Sequence, residues 1–163
     1  MRGHVERFFR GFRWALTPAE VRLARELLGP DELLLFAALQ GRERRHAMDV
    51  VRELRARGAP SPDLLVAALL HNVGNGSLHL HERVAYTLLR LLAPRLLERL
   101  ASPVGFGFRR AMAAQRDHPQ RGAALLAEAG ASERVQRLVR GHHDASADGD
   151  AELAQLIEAD LVC

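Results

Sequence analysis

Residues 63–70, DLLVAALL, restrict the fold more than any other segment, because seven apolar residues follow a single acidic one. A helix that is apolar nearly all round is stable only when neighbouring elements cover every side of it. The break GAPSP at residues 58–62 separates this segment from the preceding one. We therefore expect a central, buried helix with the rest of the chain packed around it.

The segments around this helix carry the start and stop signals of further helices. Residues 17–20, TPAE, combine a predicted N-cap, a proline at the first helical position and a glutamate that completes a capping box. Residues 42–57 place positions 46, 50 and 54 on one helix face, and Pro94 divides the helical pattern of residues 80–100 in two. No segment alternates with the period of two expected of a half-buried strand.

These patterns predict an all-α fold, a single-domain helical bundle of about 8–10 helices. We expect residues 1–41 to form N-terminal helices packed on the core. Residues 42–163 form the main domain, with a helical insertion at about residues 80–110. Besides ordinary packing, three roles are open for the arginine-rich insertion: a lid over a site, a contact in a homodimer or a membrane-facing patch.

All 23 basic residues are arginine, 20 residues are acidic, and the formal net charge is +3. Because the arginines are scattered among acids, a coding bias explains them better than a nucleic-acid surface, and the nucleic-acid signal is weak. The single cysteine, Cys163, excludes an intrachain disulfide and fits a cytoplasmic protein.

The sequence contains no stretch of 18 apolar residues, so we expect no transmembrane segment. Arg10 and Arg13 interrupt the first apolar run, so we expect no signal peptide. The basic, aromatic stretch at residues 8–16, FFRGFRWAL, has two interpretations: packing on the domain, which we favour, or contact with a membrane surface.

Five side chains capable of binding a metal fall at the ends or on the inner faces of the predicted helices, and an adjacent histidine accompanies one of them. They are His46, His71, His118, His142 with its neighbour His143, and Asp160. Imidazole and carboxylate groups suit divalent transition metals. Each also has an ordinary explanation, as a core histidine, a favourable charge at a helix C-terminus or a solvated acid. Their joint occurrence favours a metal site, because bundles build such sites from several helices.

In the same order along the chain, five separated motifs resemble those of the HD superfamily of metal-dependent phosphohydrolases. The segment RRHAMDVVREL looks like the helix of the family's first histidine, and DLLVAALLHNVGNG is similar to the family core AALLHDVGKG. DHPQRGAALLAEAG resembles the HPxxGA segment of two-metal members, including HD-GYP-like domains. RVQRLVRGHHD and LAQLIEAD resemble the next histidine segment and the last helix. The resemblance covers about residues 42–160 and implies a bundle of the HD-domain type.

Carried over position by position, the resemblance implies a set of metal ligands. These are His46, His71, His118, His142 and Asp160, with His143 as a substitute for His142. The implied cofactor is a divalent metal (Zn, Fe, Mn, Mg or Ni) in a mononuclear or dinuclear site, with loss of the metal as the alternative. The implied ligand is a nucleotide or another phosphoester.

Two positions depart from the family pattern. Asn72 stands where the family has the aspartate that its metals share and that holds the attacking water, so it is the predicted catalytic position and a weak candidate ligand. An amide is neutral and offers one acceptor oxygen, so it cannot bridge two metals as a carboxylate does. Asn75 stands where a lysine often follows the glycine, which removes a cationic contact to phosphate.

The remaining set of His46, His71 and Asp160 still suffices for one ion, whereas His118 and His142 alone make a poorer site. No phosphate-binding residue is assigned. Arg109, Arg110 and Arg116 are candidate replacements for the lysine, and His79 and His81 are left out of the site.

Three hypotheses on function follow from the motifs and from the two departures. The first is a metal-dependent phosphohydrolase with an atypical metal site. The second is a catalytically inactive, degenerate HD domain that binds a nucleotide or a protein partner. The third is an inactive Asp→Asn variant of an active enzyme, which the second departure at Asn75 disfavours.

Overall fold

The computed structural model describes residues 15–75, 80–104, 106–144 and 146–163, but not the side chains of residues 80, 81 and 83. Within those ranges the chain forms ten α-helices, one 3-10 turn and no strand, which confirms the predicted all-α fold. Residues 8–14 of the aromatic stretch and His79 lie outside the described residues. In chain order the elements are α1 (Pro18–Leu27), α2 (Pro30–Ala38), α3 (Gly41–Arg57), α4 (Pro62–Leu70), the 3-10 turn (Val73–Asn75), α5 (Leu80–Leu92), α6 (Pro94–Leu100), α7 (Phe108–Arg116), α8 (His118–Glu128), α9 (Glu133–Gly141) and α10 (Ala151–Val162).

Helix α4 is the centre of the bundle, as its apolar sequence predicts. Ser61 caps it by accepting a hydrogen bond from the Leu64 backbone amide at 3.2 Å, and Pro62 takes the first helical position. All residues from Leu64 to Leu70 are buried. Helices α1, α2, α3, α9 and α10 all pack against α4. His71, the residue that follows α4, therefore lies in the interior of the protein.

A buried ion pair holds α1 against α3, the helix that carries His46. The Glu20 carboxylate completes the capping box of α1 at Thr17 and also accepts two hydrogen bonds from the Arg45 guanidinium, at 2.9 and 2.5 Å. The hydrogen bond from Arg45 lowers the pKa of Glu20 to about 2, although burial acts in the opposite direction. This bidentate pair fixes the rotation of α3 about its axis.

Helices α5, α6 and α7 pack on one another and form a second, smaller apolar cluster, which contains Tyr86, Leu97 and Met112. We call residues 80–116 the α5–α7 unit. Helix α5 ends at Leu92 and α6 begins at Pro94, which confirms the predicted division at that proline. None of the helices in the described ranges has the length and apolar character needed to cross a bilayer.

The 3-10 turn approaches α8 so closely at Gly74 that only glycine fits. A Cβ atom at position 74 would lie 2.0 Å from the His118 carbonyl oxygen and 2.6 Å from the Gly122 backbone nitrogen. Both are backbone atoms and cannot move aside as the end of a side chain can. The close approach places the end of α4, with His71, beside the start of α8, with His118.

We expect Gly74→Ala to lower the free energy of unfolding by about 2 kcal/mol or more, because the turn and α8 must separate to admit the methyl group. The matched control is Gly58→Ala, where no atom lies within 4 Å of the added Cβ. That change should alter stability by less than about 1 kcal/mol. Urea denaturation of both variants measures the difference, and equal losses would contradict the packing assigned to Gly74.

Candidate metal centre

Each of the six predicted metal-binding side chains lies at or near the same interior point, where several helices end. His71 follows the last residue of α4, His118 is the first residue of α8, and His142 follows the last residue of α9. These three histidines are fully or almost fully buried. His46 reaches the point from the middle of α3, and Asp160 reaches it from the last turn of α10.

The first group of ligand atoms consists of His46, His71 and Asp160. The His46 Nε2 atom lies 2.8 Å from Asp160 Oδ1 and 3.2 Å from His71 Nε2, and His71 Nε2 lies 3.3 Å from the same Asp160 oxygen. An ion with bonds of about 2.0–2.1 Å to nitrogen or oxygen separates its ligand atoms by roughly 2.9–3.4 Å, for angles between 90° and tetrahedral. The three distances are therefore close to those of a coordinated set.

The second group consists of His118, His142 and His143. The Nε2 atoms of His118 and His142 lie 3.2 Å apart. The ring centroid of His143 lies 4.6 Å from the His118 centroid and 4.4 Å from the His142 centroid. The rings of His71 and His142, with centroids 5.2 Å apart, connect the two groups. His143, expected only as a substitute for His142, thus lies beside it as a third member.

The Nδ1 atom of each helix-end histidine lies within hydrogen-bond distance of the backbone carbonyl oxygen three residues earlier. His71 Nδ1 lies 2.9 Å from the Ala68 carbonyl oxygen, His118 Nδ1 lies 2.7 Å from that of Gln115, and His142 Nδ1 lies 2.6 Å from that of Val139. A carbonyl oxygen only accepts hydrogen bonds, so each Nδ1 carries the proton and, in the neutral ring, each Nε2 presents a lone pair.

In the neutral rings the Nε2 lone pairs of His118 and His142 are directed at the same place, with the two nitrogens 3.2 Å apart. A proton or a cation there would interact with both nitrogens. Burial, reinforced by the neighbouring imidazoles, holds the pKa of His142 well below its usual range, so a proton is disfavoured. Burial also lowers the pKa of His143 to about 4. The donor set of this group fits a divalent cation.

The first group carries the opposite electrostatic bias because it includes a carboxylate. Burial is the largest single effect on Asp160 and would raise its pKa, but the hydrogen bonds and charges of His46 and His71 together outweigh burial and hold that pKa far below its usual range. Burial is also the largest single effect on His71 and would lower its pKa, but the hydrogen bond and charge of Asp160, together with the Ala68 carbonyl, outweigh burial, so the pKa of His71 is raised. Two imidazoles with one carboxylate are a common ligand set for zinc and non-haem iron. Both groups can hold a metal ion.

The two residues that depart from the family pattern contact each other. The Asn75 side-chain amide donates to Asn72 Oδ1 at 2.6 Å. The Asn72 amide nitrogen lies 2.7 Å from His71 Nε2 and donates to it when the imidazole ring is neutral. Both side chains are buried, and no described residue supplies a donor to Asn75 Oδ1. Asn72 thus directs its NH₂ group, and not its carbonyl oxygen, at the His71 nitrogen that would bind a metal.

The candidate phosphate-binding arginines lie in α7 and have other contacts. Arg116 binds Asp117 at 2.6 Å, and Arg109 donates to the Leu100 carbonyl oxygen at 3.3 Å. Sequence reasoning missed Arg90 of α5, whose charge acts on His143 and contributes to its lowered pKa, after burial. Arg90 lies outside all five recognised motifs, so nothing in the sequence indicated a role for it at the site.

Comparisons of the chain with protein-family models, with curated proteins and with solved structures find no match.

We expect Asp160→Asn to weaken the binding of Zn²⁺ or Mn²⁺ by about 100-fold or more, because it removes the only charged ligand of the first group. Glu158→Gln is the matched control, since Glu158 lies in the same helix and pairs with Arg57 on the surface at 3.0 Å. Titration calorimetry on metal-stripped protein measures both affinities. Equal affinities in the two variants would show that the first group is not a metal site.

The metal-free protein should lose stability as the pH falls below about 6.5, and His143→Gln should reduce that loss. The pKa of His143 is about 4 in the folded chain, below the ordinary histidine value of 6.5, so the unfolded state binds the proton first. Stability supplied by the neutral ring is therefore present above pH 6.5 and is lost between pH 6.5 and 4, by roughly 2 kcal/mol for this residue. Urea denaturation at pH 7.5 and 4.5 in the presence of a chelator tests this. The same pH dependence in wild type and variant would contradict it.

Proposed function

We propose that the chain is a member of the HD superfamily and acts as a metal-dependent phosphohydrolase on a nucleotide or another phosphoester. One observation carries the proposal: two groups of three candidate ligands lie next to each other inside a helical bundle. The groups meet where the rings of His71 and His142 contact each other. The five motifs that resemble the family supply the same residues, in the same order, from separate helices. His46 and Asp160, 114 positions apart in the chain, approach to 2.8 Å in the first group.

The residues have separable roles in this proposal. His46, His71 and Asp160 would hold one ion, and His118, His142 and His143 would hold a second. A bound divalent ion supplies Lewis acidity at a phosphoryl oxygen and lowers the pKa of water. The neutral imidazoles keep their lone pairs available near pH 7, because burial lowers the pKa of His142 and His143. Arg90, whose charge is felt at His143, would attract an anionic phosphoester.

Asn72 determines how active such a site is. Its amide does not accept a proton and does not add negative charge, so it cannot perform the task that the family gives to an aspartate. Its NH₂ group also occupies the lone pair of His71 Nε2, and an ion at the first group must displace that hydrogen bond. We therefore expect slow turnover by the native chain.

A second function, metal-free binding of a nucleotide or protein partner, is favoured by one specific observation. The Asn72–Asn75 hydrogen bond at 2.6 Å makes a neutral, buried pair from two positions where the family pattern has an aspartate and a lysine. Exchange of both charged groups together keeps the local charge unchanged. Such a pair is stable without a metal.

The experiment that separates the two functions measures metal content and the hydrolysis of bis(p-nitrophenyl) phosphate and of nucleotides. It compares the wild type with Asn72→Asp and with Asn72→Asp/Asn75→Lys. We expect the wild type to retain metal and to hydrolyse slowly, and Asn72→Asp to raise kcat by about tenfold or more. Gln120→Glu, the same amide-to-carboxylate change at an exposed position of α8, is the control and should leave kcat unchanged.

The outcomes distinguish the proposals. Metal binding and hydrolysis by the wild type, both abolished by His71→Ala, support the phosphohydrolase. Metal binding and hydrolysis only after Asn72→Asp show that the native chain is a binding module. Absence of metal in the wild type and in both variants overturns the phosphohydrolase proposal.

A further inference from the structure

Helix α5 has two apolar faces, and only one of them is used for packing within the described chain. Tyr86 and Leu89 lie on the inner face and belong to the cluster shared with α6 and α7. The other face consists of Val84, Leu88, Leu91 and Leu92, spaced i, i+4, i+7 and i+8. We call these four residues the outer face of α5. Each is at least half exposed, and Leu92 is 80% exposed.

The exposed apolar surface continues into other parts of the α5–α7 unit. Val104 and Phe106, in the loop before α7, are 87% and 92% exposed. Isolated exposed apolar residues are normal, but a complete helix face with further large side chains in the same unit marks an interaction surface.

The same unit carries most of the excess positive charge of the chain. Residues 80–116 contain seven arginines and two glutamates, a net charge of +5, while the whole chain has +3. Residues 117–163 contain four arginines and nine acids, a net charge of −5. The arginines of the unit that flank its helices are solvent-exposed: Arg90, Arg95, Arg99, Arg109 and Arg110. The partner of this surface is therefore both apolar and anionic.

We propose that the outer face of α5, together with the exposed arginines of α6 and α7 (Arg95, Arg99, Arg109 and Arg110), binds an anionic lipid surface. An interfacial helix buries Leu, Val and Phe side chains at the boundary of the acyl chains while its arginines remain among the headgroups. Each arginine close to an anionic leaflet adds to the attraction. This proposal does not rest on the metal centre, since none of the six candidate ligands lies in the α5–α7 unit and Arg90 and Gln115 are not part of the proposed lipid-binding surface.

Three other partners fit these residues less well. A symmetric dimer through the outer face would bring together two α5–α7 units, each with a net charge of +5. A nucleic acid would satisfy the arginines but would leave four aliphatic side chains against a polar backbone. Protein interfaces concentrate their binding energy in Trp, Tyr and Arg, with Leu and Val under-represented, whereas the outer face is entirely Leu and Val.

The test is flotation of the full chain with phosphatidylcholine vesicles, with and without about one third phosphatidylglycerol. We expect the chain to bind the anionic vesicles, to bind the neutral ones at least about fivefold more weakly, and to be released as the salt concentration rises. Equal binding to both vesicle types, or to neither, overturns the proposal.

Matched variants assign the binding to this surface. Leu92→Glu should lower the partition coefficient by about tenfold or more. The change removes a leucine that the bilayer would bury and adds a negative charge that the anionic lipids would repel. Leu161→Glu, at a leucine that is 77% exposed on α10, should leave it unchanged. Arg95→Gln/Arg99→Gln should likewise weaken binding, whereas Arg22→Gln/Arg25→Gln on the exposed side of α1 should not.

Circular dichroism of each variant confirms that it remains folded. If Leu92→Glu and Leu161→Glu reduce vesicle binding equally, the assignment to α5 is wrong. If light scattering shows a dimer that Leu92→Glu dissociates, and vesicles do not bind, the partner is a second copy and the lipid proposal is overturned. Binding to an acidic protein or to DNA, without binding to vesicles, overturns it as well.

Discussion

The interaction on which the candidate site depends is the hydrogen bond from a histidine Nδ1 to a carbonyl in the preceding helical turn. The acceptors, Ala68, Gln115 and Val139, belong to the last turns of α4, α7 and α9. Carbonyls at a helix C-terminus lack intrahelical partners, so each histidine satisfies one of them. The same bond fixes the tautomer and turns Nε2 inward. The same hydrogen bond thus satisfies a carbonyl at the helix end and orients the histidine, and this occurs at three helix ends that meet at one point.

That repetition explains why the interior tolerates so many imidazoles. A buried polar group is costly unless it is hydrogen-bonded, and each of the three rings is bonded at Nδ1. The Nε2 atoms of His118 and His142 lie 3.2 Å apart, on the side of each ring opposite this bond. The backbone hydrogen bonds therefore stabilise the buried rings and also leave Nε2 directed at the point where a metal ion would bind.

Much of this architecture could be predicted from the sequence, because it depends on local signals. The apolar run of α4, the proline and serine at its start, and the positions of His71, His118 and His142 at helix ends are all visible in sequence. The HD assignment itself stays a prediction. The tautomers could not be predicted, since they depend on which carbonyl each Nδ1 meets.

Other features depend on tertiary contacts that no local pattern encodes. Asn75 is visible in the sequence only as a missing lysine, yet the 3-10 turn brings its amide onto Asn72. The sequence shows apolar residues on two faces of α5 but does not reveal that α6 and α7 cover only the inner one. Gly74 reads as part of a turn motif, whereas its close approach to His118 and Gly122 appears only in three dimensions.

A charge count orders the two ligand groups. Asp160 is the only carboxylate among the six candidate ligands, and burial keeps His142 and His143 neutral. Two divalent ions in adjoining groups would repel each other, and a negatively charged side chain between them would offset that repulsion. Asn72 supplies no such charge. A first ion would therefore favour His46, His71 and Asp160, and a second ion at the three-histidine group would need an additional anion. Under the proposed function a phosphoester would supply that anion, so the binding of substrate and the binding of a second metal would reinforce each other.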